Sequence, residues 1–484
     1  MRLLIMKITN ILLYIKTIPA RIVFFLKFIY AKPQYFFLLV AGTAGITTVF
    51  VLPPFQAPDE HTHFYKAVQL SKLDFKAEKI SDMQVGEYFE SEYGETVSQF
   101  SYMWLDPTKK VNTQTFKNDA LVPQTTSPET FVKFENTAVY PPLTYIPQAI
   151  GITITRIFKS SILVEMYAAR IMILMSWLTL VFLAIKTIPT VKWGLVALAV
   201  TPLTIMLSAS SSNDALVLGF SILWVAYVLK LRATPVISRI QLVLILCFSI
   251  LFGLIKPPYL IIMLLIWIVP SANFQTIRHP ILVKVACSML LPVVIAAGWM
   301  LFMRDIYIPT NPLADTPSQI HFVVTHPFSA FKNIVSSLTI SPVGEDVILQ
   351  SFGLYSWLAI KLPLPLTILN FIVVTLLLFS RKEGDTQGGI NAFARIFAGL
   401  VYFLICFAAA LLIYLSFNKP MNNQVDGLNS RHLLPAYYLL LISLGGILEL
   451  KRNSYNRLIV GCSLFLVIFA VAAPISILMR FYIL

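Results

Sequence analysis

Asp59, Glu60, His61 and His63 stand within five positions of one another in the stretch PPFQAPDEHTHFY, residues 53–65. Carboxylates at such a spot can take a proton from a hydroxyl, and carboxylates beside histidines can hold a divalent metal. Asp59 and Glu60 are the candidate catalytic pair. Asp59, Glu60 and His63 are the candidate metal set, weighed against simple hydration because no HxxxH or HExxH frame carries them. In an ordinary loop the acids could be solvated residues after a proline turn. Their place directly behind the apolar run Phe36 to Leu52 favours a base working at a membrane boundary.

Other polar residues interrupt apolar sequence in ways that suit ligand binding. Asp214, in SASSSNDAL, either caps a helix beginning at Ala215 or meets substrate. Arg170, Lys256 in GLIKPPY, Arg304, and Arg431 beside His432 are candidate cations for an anionic ligand, or snorkelling side chains. Tyr140, with Tyr145 and Tyr259, is either a membrane-interface belt residue or a platform for a sugar ring. His63 joins these as a substrate-binding candidate.

These residues need a scaffold, and the composition says which kind. The chain has 484 residues, 57% hydrophobic and 12% charged, with mean hydropathy +0.77. Ordinary soluble domains carry about 25% charged residues, so this is a polytopic membrane protein. The net charge of +14 lies largely in short loops between apolar runs, as the positive-inside rule requires, and no basic stripe interleaved with aromatics points to nucleic acid. Cys247, Cys287, Cys406 and Cys462 fall in apolar segments without CxxC spacing and read as buried thiols.

Residues 1–33 read as a basic interfacial helix on the cytoplasmic face. The region 34–303 reads as a transmembrane module that includes an external loop, 54–163. From Pro54 to Thr137 this loop holds 13 Asp and Glu against 8 Lys and Arg. The proline-interrupted run at 139–157 is expected to lie on the membrane surface, since a span there would put the basic loops at Lys186/Lys192 and Lys230/Arg232/Arg239 on opposite sides. A second external region is expected at 304–361, and C-terminal spans at 362–484. The expected fold is an all-α integral membrane bundle of about 11 spans, N terminus inside and C terminus outside. No internal repeat of the inverted transporter type is visible.

In order along the chain, PPFQAPDEHTHFYKA, YPPLTYIPQAIG, EMYAARI, SNDAL, KPPY and NSRHLLPAYYLLL resemble the motifs of a large family of bacterial multi-pass membrane proteins of formerly unknown function, related to GT-C glycosyltransferases. The resemblance spans roughly residues 36–440. It implies a GT-C-like bundle in a bacterial plasma membrane, with the active site on the outer face. It also implies inverting transfer of a sugar from a polyprenyl-phosphate donor to a cell-envelope glycan or lipid acceptor. The family's essential first-loop acid maps onto Asp59, and a later acid onto Asp214. The C-terminal motif, closer to Gly-Arg-Tyr in relatives, reads Ser430-Arg431-His432 here, so Arg431 alone carries over. Donor synthesis on the cytoplasmic face and a flippase are implied partners.

Two rivals remain at the level of sequence. A polysaccharide polymerase or ligase would carry a late external loop rich in arginine, whereas 304–361 has few basic residues. A lipid-linked glycan transporter would place charges at mid-membrane. No GxxxxGK[ST] or strand–GxGxxG–helix pattern supports direct nucleotide use.

Overall fold

The structure is a computed structural model that describes residues 32–483 except 101–102, 104, 107, 113, 115, 119–126, 341–346, 356–359 and 386–389. The basic helix expected at 1–33 falls almost entirely outside the described residues.

Six helices are long and apolar enough to cross a membrane: α1 (Pro33–Val51), α5 (Ile162–Thr187), α8 (Asp214–Ala233), α10 (Pro280–Met303), α14 (Ala392–Ser416) and the final helix, α15, which begins at Arg452. Their ends follow local chemistry. Pro33 starts α1, where its missing N–H costs nothing, and Pro53-Pro54 stop it. Ser161 and Asn391 cap α5 and α14 with their side chains. Close helix approach uses glycine: a Cβ at Gly45 on α1 or Gly219 on α8 would sit 2.8 Å from a Leu174 or Leu180 carbon on α5.

The expected 11 spans include several that the structure breaks up. The run at 194–207 divides at Pro202 into α6 (Lys192–Ala199) and α7 (Pro202–Ser208). The segment Pro257–Ile268 is a 3-10 helix, and 432–450 becomes the short turns Leu434–Tyr437 and Leu440–Ser443. Helices α9 (Arg239–Gly253) and α13 (Leu364–Phe379) are apolar but shorter than the six. The broken pieces are largely buried by protein, where irregular backbone is tolerated at membrane depth.

The first loop departs from the all-α expectation. Behind helix α2 (Glu60–Ser71) the chain forms β1 (Glu78–Ser81), β2 (Gln84–Glu90) and β3 (Glu129–Lys133) in an antiparallel sheet, order β1-β2-β3, with Tyr88 opposite Phe131. Alternation explains it: Val85 and Phe89 point inward while Tyr88 is exposed. Gly86 is required there, since a Cβ would lie 1.9 Å from the Val132 carbonyl oxygen. Helix α3 (Ser91–Phe100) follows, and the domain has its own aromatic core of Phe64, Tyr65, Phe89, Tyr93 and Phe134, separate from the bundle core.

Helix α4 (Ile146–Ile157) spans about 18 Å, too short to cross about 30 Å of hydrocarbon. It shows Ile146, Ile150, Ile154 and Ile157 outward and packs Gly151 against the Ala168 carbonyl of α5. The run at 139–157 thus holds a short helix with an exposed isoleucine row and no span.

The bundle has two distinct ends. At one, β4 (Ser380–Lys382) pairs parallel with β5 (Leu448–Leu450), and Ile237 N–H donates to the Asn273 carbonyl. That end gathers Arg239, Arg381, Lys382, Lys451 and Arg452. At the other end sits the loop domain, tied to the last turn of the chain: Arg480 donates to the Met103, Asp106 and Lys109 carbonyls.

Candidate active site

Pro58 and the residues before it turn the chain sharply out of α1, and Asp59 takes a left-handed conformation, φ 56°. This geometry, tolerated by Asp better than by most residues, keeps its carboxylate off the N terminus of α2. The carboxylate is held instead by Arg431 Nη2, 2.5 Å away, brought by the loop after α14. Asn429 shapes that loop by accepting from the Arg431 backbone N–H while His432 reaches back to Asn429 N–H.

Asp214 opens α8 but does not cap it; the N-cap is Asn213. Its carboxylate meets Lys256 Nζ at 2.5 Å and Arg431 Nη1 at 4.0 Å. Its Oδ2 is buried and accepts no hydrogen bond among the described residues. Lys256 also lies 5.1 Å from the centre of the Tyr140 ring. Asp59, Arg431, Asp214 and Lys256 thus form one chain of alternating charge drawn from four separate segments.

Asp59, Tyr140 and Arg431 line a cavity of about 1290 Å³. The loop domain adds His61, Glu135 and Asn136, and apolar side chains such as Trp299, Met300 and Leu412 complete the enclosure from the ends of α10 and α14. Arg304 is exposed and lines the same cavity. Burial acts to raise the Asp59 pKa, but the Arg431 guanidinium outweighs it and holds the carboxyl below its ordinary range.

Glu60 and Arg170, paired with these residues by sequence reasoning, form a different unit that does not line the cavity. Arg170 Nε and Nη2 donate to the two Glu60 oxygens at 2.7 and 2.6 Å. The remaining guanidinium donors go to the carbonyls of Val49, Leu52 and Pro53 at the C-terminal end of α1. Glu60 further accepts from Ser211 N–H at 2.9 Å, and both side chains are fully buried.

His63 is also withdrawn: its Nδ1 is 2.7 Å from Tyr145 Oη, its ring lies alongside Tyr140 and Tyr145, and burial pushes its pKa down to about 3. The proposed metal set therefore does not converge. Asp59 is engaged by Arg431, Glu60 by Arg170 and His63 by Tyr145, and no group of three or more His, Cys, Asp or Glu suited to a metal exists among the described residues.

Sequence reading noted His61 without giving it a binding role, and it missed Glu135 and Asn136. Asn136 Oδ1 is buried without a hydrogen-bond partner among the described residues. The signal was present as a polar pair at the end of an alternating stretch, FVKFENT, immediately before the proline-rich surface helix.

Residues 43–475 match the profile of a family described as predicted membrane protein (DUF2142). No curated protein and no solved structure matches the chain.

Proposed function

The chain belongs to the DUF2142 family of predicted membrane proteins, and from that premise we propose that it is an inverting glycosyltransferase of GT-C type. It moves a sugar from a polyprenyl-phosphate donor to a cell-envelope glycan or lipid acceptor. The loop end of the bundle is the outer face of a bacterial plasma membrane in this reading, and the basic end is cytoplasmic. The observation that carries it is the charge chain Asp59–Arg431–Asp214–Lys256, two of whose members, Asp59 and Arg431, line a largely apolar cavity.

In this mechanism the donor phosphate binds against Arg431, which lines the cavity, and Lys256 adds its charge from behind through Asp214. Arg431 then exchanges Asp59 for the phosphate, which removes the charge that depresses the Asp59 pKa and makes it a better base. Asp59 accepts the proton of the acceptor hydroxyl as its oxygen attacks the anomeric carbon from the face opposite the phosphate. The C1–O bond to phosphate breaks with its electron pair on the leaving oxygen, and the two cations stabilise that charge. Tyr140 supplies a ring beside Lys256 against which the sugar can pack. Glu60 and Arg170 hold the exit of α1 fixed, so they position Asp59 and do not touch substrate.

The test is transfer of radiolabelled sugar from a panel of polyprenyl-phosphate donors by purified protein, wild type against Asp59→Asn. Loss of about 10²–10⁴-fold in transfer with donor binding retained supports Asp59 as the base. Full activity in the variant removes it from the mechanism. If wild-type protein uses none of the donors but moves a lipid-linked glycan across vesicles, the transporter reading replaces this one.

A further inference from the structure

The second region outside the bundle, 304–361, contains a pair of consecutive helices. Helices α11 (Thr316–Thr325) and α12 (Pro327–Thr339) form a hairpin that turns at His326. Its open end is tied to the loop after α14. Met421 N–H donates to Gln319 Oε1 at 2.9 Å, Asn333 Nδ2 donates to the Asn422 carbonyl at 3.1 Å, and Val425 N–H donates to Ser337 Oγ at 2.9 Å. From there α12 runs down the side of α14. The Phe331 and Phe407 rings are 5.6 Å apart, and Phe407 lies about 13 Å from the Ser416 end of that helix.

The turn therefore points along α14 toward the middle of the bundle, away from the loop domain. One side of α12, with Ala330 and Ile334, is buried. The outward side shows Val324 at 72%, Phe328 at 88% and Phe331 at 50% exposure. This surface runs directly into the exposed face of α14, including Leu400, Phe403 and Leu404, on a helix apolar enough to cross a membrane.

We propose that this hairpin is a re-entrant element whose tip, Val324 to Phe328, sits among the lipid acyl chains of the leaflet at the loop end. Three observations favour lipid as the occupant: the apolar surface is continuous with α14, the tip points away from the loop domain, and Gln319, Asn333 and Ser337 bond to the loop after α14. The Thr325 hydroxyl donates to the His321 carbonyl at 2.7 Å and lies 2.9 Å from His326 Nδ1, which lowers the cost of carrying these atoms below the headgroups. Lys332, on the open-end side of the tip, is placed to reach the headgroups with its ammonium. The proposal does not depend on the glycosyltransferase reading.

The test is site-directed spin labelling of otherwise full-length protein in phosphatidylcholine bilayers, in a Cys247→Ala background because Cys247 is the exposed native cysteine. Nitroxides are placed at Phe328→Cys and Val324→Cys, with Lys419→Cys in the adjoining loop as the water-facing control. The expected result is a ratio of oxygen to nickel-chelate collision several times higher at 324 and 328 than at 419. A ratio equal to the control overturns the proposal. So does a label immobilised and shielded from both reagents, which would indicate a protein partner. Two tip positions are used so that poor folding of one variant, seen by size exclusion, leaves the other to decide.

Discussion

Asp59 and Glu60 are consecutive residues, yet they belong to two networks built on opposite principles. Around Glu60, every guanidinium N–H of Arg170 has an acceptor and neither side chain is exposed. Around Asp59, the charges alternate through Arg431, Asp214 and Lys256, Asp214 Oδ2 accepts no hydrogen bond among the described residues, and a cavity opens beside them. A closed network can only hold; an open one can exchange partners with a ligand. Burial of charge is costly in both, so the difference in completeness separates a fastening from a site.

The largest test of that contrast removes the fastening. Arg170→Met leaves Glu60 buried without its partner and strands three carbonyls of α1, and should cost about 3–5 kcal/mol, seen as lost folded protein by size exclusion and thermal denaturation. Next, Arg431→Ala should leave the fold nearly intact while lowering transfer roughly 10²–10³-fold, as its proposed role on developing charge requires. If Arg431→Ala unfolds the protein as readily as Arg170→Met, the distinction between the two networks fails.

His63 lies between the networks and sharpens the comparison through pH. Its folded pKa, about 3, lies below the ordinary 6.5, so the unfolded chain binds the proton first as pH falls. Stability contributed by the neutral ring is therefore present above 6.5 and lost progressively toward pH 3. His63→Gln should flatten the acid side of the melting-temperature profile between those values; an unchanged slope would place the acid sensitivity elsewhere. The smallest effect belongs to Lys76, which pairs with Asp305 at 2.8 Å and joins the loop domain to the end of α10. Both side chains are partly exposed, so Lys76→Ala should cost under about 1 kcal/mol in thermal unfolding.

Much of this was legible in sequence because membranes write plainly. Apolar runs fixed the long helices, and the ban on a span at 139–157 followed from the basic loops alone. The sheet was hidden because QVGEYFE is short and sits in a loop rich in charge. The broken spans were hidden too, since hydropathy reports apolar surroundings and cannot separate a helix against lipid from a bent segment inside protein. At the site, the sequence singled out Asp59, Asp214, Lys256 and Arg431, which the fold brings together, but it joined Glu60 to Asp59 by adjacency. The left-handed turn at Asp59 sends the neighbouring side chains to different partners, and nothing in the residue types announces it. The apolar outer face of the hairpin at 316–339 was hidden too, because histidines and serines interrupt it in the sequence.

The partners in the two networks also differ in when they come into being. Glu60 and Arg170 are 110 residues apart, and Asp59 and Arg431 are 372 apart. At ordinary translation speeds of about 5–20 residues per second, the fastening is available roughly 5–20 s after its first half is made, and the site only after roughly 20–70 s. Throughout that interval Asp59 must keep water for company. The nascent chain can thus be anchored early while its reactive carboxylate stays wet, and the pocket closes around it only when the late helices arrive.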